Sequence, residues 1–266
     1  MAISKVKSIF STYTLDDSTE TKNYHRVLFK PGVSVQAREL TELQTNLQRQ
    51  IDYHGQYTFV EGSRVTGGEL ALDVEYDYIK VESTFTNGDG TYLASGFIST
   101  IANTVGAKLT GANIVEAEVI QVISEAGVDL KSSSNKTGIL DSGNTSDALT
   151  LFVKYIKGSG DTNANVFSIG ETLTSSTNAA HKLMVGGGTD TDNAGLDSTI
   201  TDAVGQGSKV TLNEGVYFLS GSFVYVAADE LILEKYDRTP SNILGLNITE
   251  SVVTSVNDTT LVDNAT

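Results

Sequence analysis

The stretch from His25 to Gly55, HRVLFKPGVSVQARELTELQTNLQRQIDYHG, decides how the rest of the chain is read. It opens on an apolar, strand-like run, Val27-Leu28-Phe29, and breaks at Pro31-Gly32. From about Val35 to His54 nothing interrupts a helical pattern. Ser34 is placed to N-cap that helix, and Gly55 supplies the left-handed residue that commonly ends one. Ala37, Leu40, Leu43, Leu47 and Ile51 form one apolar stripe, continued by His54, while Glu39, Glu42, Asn46, Arg49 and Asp52 lie opposite. In heptads, Ala37, Gln44 and Ile51 take the a positions and Leu40, Leu47 and His54 the d positions, so the Gln44 amide sits where it would set register or copy number. The pattern is shorter than a sustained coiled coil. Two readings stay open: the stripe packs on the chain's own strands, or on copies of the chain as well.

After Gly55 the pattern turns to β. Strands are expected at Tyr57 to Val60, Ser63 to Thr66, Glu69 to Leu72 and Val74 to Val81, separated by glycines. A second cluster, Lys209 to Leu212, Val216 to Leu219, Ser222 to Val226 and Leu231 to Tyr236, is expected to form an antiparallel meander, with turns at Asn213-Glu214-Gly215 and Ala227-Ala228-Asp229. The two clusters share an echo, Phe59-Val60-Glu61-Gly62-Ser63-Arg64-Val65 against Phe218-Leu219-Ser220-Gly221-Ser222-Phe223-Val224. Strand, glycine bend and strand in both suggest paired halves of one sheet system.

Between the clusters, Glu82 to Ser208 is bounded by turn-rich TNGDG and GGGTDTDNAGLDST. Inside it, Ile114 to Ile123 and Leu149 to Ile156 are clear strand patterns, and Val166 to Ile169 and Lys182 to Val185 weaker ones. The expected fold is therefore mainly β with one long N-terminal α-helix, an antiparallel sheet domain carrying an inserted small β-barrel or sandwich. Residues 1–24, polar and Thr/Ser-rich, read as an extended arm. Residues 25–81 with 209–266 are expected to form one discontinuous domain, and 82–208 the insert. The closing LVDNAT, directly after an apolar run, suggests a polypeptide that continues.

Composition narrows function. A formal charge of −15 with no basic cluster argues against nucleic acid and against anionic membrane surfaces. No apolar run approaches a membrane span, and no signal-peptide core follows Lys5 and Lys7. With Cys at 0 there is no thiolate or disulfide chemistry, and His25, His54 and His181 stand far apart in sequence. No nucleophile elbow, HExxH, P-loop or paired Cys/His motif occurs. Asp190 and Asp192, and Asn87-Gly88-Asp89-Gly90, lack the calcium-loop arrangement and suit turns that bond their own backbone. The expectation is a protein that is not an enzyme, with no catalytic, cofactor-binding or metal residues.

RVLFKPGVSVQARELTELQTNLQRQI followed by YTFVEGSRVTGGEL resembles the N-terminal region of phage tail-fibre and baseplate-wedge structural proteins of contractile-tailed phages, especially cyanophages. Val216 to Tyr236 and the segment after it resemble the same group. The resemblance implies a virion structural protein, made in the host cytoplasm. It implies that the N-terminal region anchors the protein to the tail or baseplate, contributing to host attachment. It also implies other tail or baseplate proteins as partners, self-association as a homotrimer, no cofactor, no nucleic acid and no membrane insertion. Gln36, Arg38, Leu40, Gln44, Leu47, Gln48 and Ile51 are the residues expected to carry assembly. A rival reading is a carbohydrate-binding adhesin whose insert presents Tyr92, Phe97, Phe152 and Tyr155 to sugars, although Trp, the best stacking surface, is at 0. A polysaccharide depolymerase fits least, because no repeating β-helix pattern is present.

Overall fold

The longest strand, β2 (Leu70–Val81), organises the molecule. The sequence suggests two strands here. One forms because the irregularity at Asp73, whose carboxylate accepts the Glu75 N–H at 3.0 Å, is absorbed as a register shift against the neighbouring strand rather than a break. The computed structural model describes residues 20–87, 90–93, 105–112, 114–130, 139, 147–158, 165–176, 182–187, 200–251, 253 and 255–261. His181, Asp190, Asp192, Gly88, Asp89, Phe97 and nearly all of the N-terminal arm lie outside them.

The fold is mainly β and antiparallel, with one long helix, as its alternating strands and glycine turns suggest. The other strands are β1 (Arg64–Gly67), β3 (Thr84–Asn87), β4 (Gly90–Leu93), β5 (Lys108–Thr110), β6 (Glu116–Ile123), β7 (Leu149–Lys157), β8 (Thr172–Ser175), β9 (Lys182–Met184), β10 (Val204–Leu212), β11 (Gly215–Leu219), β12 (Ser222–Val226) and β13 (Asp229–Glu234). Eight of them pair in the order β13-β10-β2-β7-β6-β5-β8-β9. This sheet curls into a half-barrel whose far end returns to β2. Val185 bridges Val81, the Glu82 N–H donates to the Met184 carbonyl at 2.9 Å, and the Gly186 N–H donates to the Lys80 carbonyl at 2.9 Å.

Inside the curl, Ile79, Val81, Leu109, Ala117, Val119, Leu151, Val153, Leu173 and Leu183 are buried together. The alternate residues Tyr76 and Tyr78, with Ile123, Phe152 and Ile232, make a second cluster. Both faces of β7 are therefore covered, which is why its sequence is an almost unbroken apolar run. Val166 to Ile169 is irregular rather than a strand, although Phe167 is buried in the core. The same sheet takes strands from residues 25–81, 82–208 and 209–266 alike.

A second sheet, β1-β11-β12, carries the sequence echo. Gly62 and Gly221 both adopt φ of +79°, the Gly62 N–H donates to the Phe218 carbonyl, and the Phe218 N–H donates to the Ser63 carbonyl. The two echo segments thus lie side by side. The expected meander does not form: β10 pairs with β13, and the β11–β12 hairpin between them crosses to β1. The cause is at Gly67-Gly68, where both residues are left-handed and the Gly68 N–H bonds the Glu214 carbonyl at 2.8 Å. Gly215 passes so close that a Cβ there would sit 2.4 Å from the Gly68 nitrogen. Two paired strands, β1 with β11 and β2 with β10, therefore bend from one sheet into the other at a single glycine crossing.

Helix α1 spans Ala37–Thr58. Its start lies beyond Ser34, because Glu39 accepts the Gln36 N–H at 3.0 Å and makes Gln36 the cap. Its end lies beyond Gly55, which is helical, so the strand expected at Tyr57 to Val60 is replaced by the last helical turn and an extended Phe59. Val27-Leu28-Phe29 joins no strand, and Leu28 is largely exposed.

Candidate assembly interface

Periodicity puts the apolar residues of α1 on one face, and ordinary helix packing would turn that face inward. The structure does the reverse. The side of α1 turned to the protein carries Asn46, Arg49, Asp52 and Gly55, all buried. Leu40, Leu47 and Ile51 face outward at 50%, 59% and 44% exposure. The expectation that the stripe rests on the chain's own strands is thus corrected.

Two glycines account for the inversion. A Cβ on Gly55 would lie 2.2 Å from the Phe218 ring, and one on Gly221 would lie 2.5 Å from the Asp52 carboxylate. Only hydrogen at these positions lets the helix settle onto the β11–β12 turn. Phe218, Phe59 and Phe223 close the contact, with ring centroids 5.5 to 5.9 Å apart. Gln48 adds polar anchors, its amide donating to the Gly221 carbonyl at 2.8 Å and the Ser222 hydroxyl at 3.1 Å. Gln56 donates to Asp52 at 2.6 Å.

The seven residues expected to carry assembly therefore divide. Gln36, Arg38, Leu40, Gln44, Leu47 and Ile51 are exposed, whereas Gln48 is spent within the chain. The outward seam of Ala37, Leu40, Gln44, Leu47, Ile51 and His54, with neighbours Thr41, Leu43 and Gln50, bears no acidic residue in a chain of net charge −15. A face without like charge suits approach by an identical chain. Gln44 offers both a donor and an acceptor, so its amide can pair with its own copy. The sequence signal for the inward face was the glycine itself, read as a helix end instead of a contact.

Elsewhere, buried polar groups serve the fold. Lys235 pairs with Asp147, and the Tyr236 and Thr150 hydroxyls share a hydrogen bond at 2.7 Å. Tyr76 donates to Gln121, which donates to Asp129. Burial pushes the Tyr76 hydroxyl far above the usual tyrosine range and that of Tyr155 up to about 12. Among the described residues no group of three or more His, Asp or Glu is arranged to hold a metal, and no helix is long and apolar enough to cross a membrane. Phe152 is fully buried and stacked on Tyr76 at 4.5 Å, and Tyr155 packs on Phe167, so neither forms an open sugar-stacking face.

Residues 11–126 match a family model described as a domain of unknown function, DUF4815, over less than half of the chain. The match takes in α1 and β1 to β6. No curated protein and no solved structure matches the chain.

Proposed function

We propose that the chain is a structural subunit of a virion, a tail-fibre or baseplate component that anchors through α1 and contributes to host attachment without catalysing a reaction. One observation carries the reading. A helix held by its polar face leaves Leu40, Gln44, Leu47 and Ile51 outward as an apolar, acid-free seam. Large apolar side chains in a row on a water-facing helix mark an interaction surface. The heptad spacing of that row fits copies of the same chain, in a homotrimer, with other tail or baseplate proteins beside it. The resemblance of the QARELTELQTNLQ segment to tail-fibre and baseplate-wedge proteins supplies the setting. Immunogold electron microscopy on purified particles, with antibody raised against this chain, tests it. Label gathered at the tail end is the expected result. Unlabelled particles, with the antibody shown to bind the free protein, would refute the virion setting.

A further inference from the structure

One end of the large sheet carries an apolar face that the chain covers incompletely. The pairings Leu70 with Leu212, Leu72 with Val210, Val210 with Leu231 and Leu212 with Asp229 set these side chains in two rows across β2, β10 and β13. Val210 and Leu212 are buried, but Leu70 and Leu72 are 62% and 59% exposed. Over this face lies the segment Leu244-Gly245-Leu246-Asn247-Ile248, which helps line a cavity of about 400 Å³ with Leu70, Leu212, Leu219 and Leu231.

That segment has the pattern of a strand without its bonds. Leu244, Leu246 and Ile248 alternate, as one face of a strand requires. Yet residues 240–250 belong to no ladder and are almost all exposed. The chain is secured up to this point, by Lys235 on Asp147, Arg238 on the Val74 carbonyl and Asn242 on Glu234. Residues 243–250 join no ladder and lie over the face beside a space left largely unfilled.

We propose that this face and this segment are the two halves of an exchange contact, in which Leu244–Ile248 of one copy docks on the β2-β10-β13 face of another. The segment already lies over this face within one chain, and every second copy carries the same pair. No ladder holds the segment to its own chain, so transfer to the same face of a neighbour loses little. The exchange rests on the copies being held together through α1, which raises the local concentration of the segment.

The chain has Cys at 0, so introduced thiols report without background. The double variant Leu70→Cys/Leu246→Cys is treated with a short bis-maleimide and resolved on denaturing gels. Light scattering on the same sample gives the mass in solution. The control Leu70→Cys/Ile243→Cys moves the second thiol to a fully exposed side chain. Loss of the monomer band to covalent multimers in the first variant, at several times the yield of the control, is the expected result. A cross-link confined to one chain in a sample that light scattering shows to be oligomeric overturns the exchange and leaves assembly through α1 standing. A monomeric mass with only intrachain product defeats both. No cross-link of either kind shows that the segment does not rest on this face, and also refutes the proposal.

Discussion

Leu47→Asp separates folding from assembly. In the single chain Leu47 is 59% exposed on the outer side of α1, so its loss there removes little buried surface. The cost to the isolated chain is the helix-propensity difference between leucine and aspartate, about 0.5 kcal/mol. In an assembled seam the same side chain becomes buried. Full burial of a leucine is worth about 1.5–3 kcal/mol, so the part still exposed contributes roughly 1–2 kcal/mol per copy. Across three copies the loss is on the order of 3–6 kcal/mol, or about 10²–10⁴-fold in the association constant. Three carboxylates brought into one seam would weaken it further. Size exclusion with light scattering over a dilution series should show the variant as a smaller species at concentrations where the parent is assembled. Its thermal unfolding by circular dichroism should move little, and Leu47→Met should retain assembly. Two results would refute the reasoning: an unchanged mass throughout the series, or a collapse of monomer stability of the size expected for a core leucine.

Gln48→Ala should do the opposite of Leu47→Asp, costing about 1–2 kcal/mol of urea stability through its two lost hydrogen bonds while leaving the oligomeric mass unchanged. Gly55→Ala should destabilise by about 1–3 kcal/mol despite better helix propensity, because its Cβ meets the Phe218 ring at 2.2 Å; Phe218→Leu in the same chain should recover part of that loss in thermal melts. Lys235→Met removes the buried ion pair with Asp147 and should cost about 3–5 kcal/mol in urea unfolding, whereas the double variant with Asp147→Asn should cost less. Tyr155, raised to about 12 by burial, ionises in the unfolded chain at its ordinary value of 10.0. Its contribution is present in full below pH 10 and declines as pH rises towards 12, so urea midpoints should fall across that window and fall less in Tyr155→Phe.

The longer strands were legible because their signals are local, whereas β3, β4, β5 and β8, of three or four residues each, are too short to show a pattern. Alternation gave VEYDYIKV, and continuous apolar character gave LTLFVKYI, which is covered on both faces. The pairing of the two β clusters was legible too, through an echo whose glycines share the same left-handed geometry. The meander failed for a non-local reason: at Gly67-Gly68 and Gly215 two strands cross between sheets, and local turn chemistry carries no record of what passes opposite. The helix shows the same limit more sharply. Periodicity establishes which residues share a face, but not which face is inside. What decided it was a steric fact about partners 163 to 173 residues away: a Cβ at Gly55 would strike Phe218, and Gln48 reaches Gly221. A glycine late in a helical pattern therefore has two physical readings, a terminus or a close contact. Where it is a contact, the small and polar side packs inward and the apolar stripe is turned to water. That inversion leaves Leu40, Leu47 and Ile51 half-exposed in the single chain and outside its core, which is what the proposed role of the stripe requires.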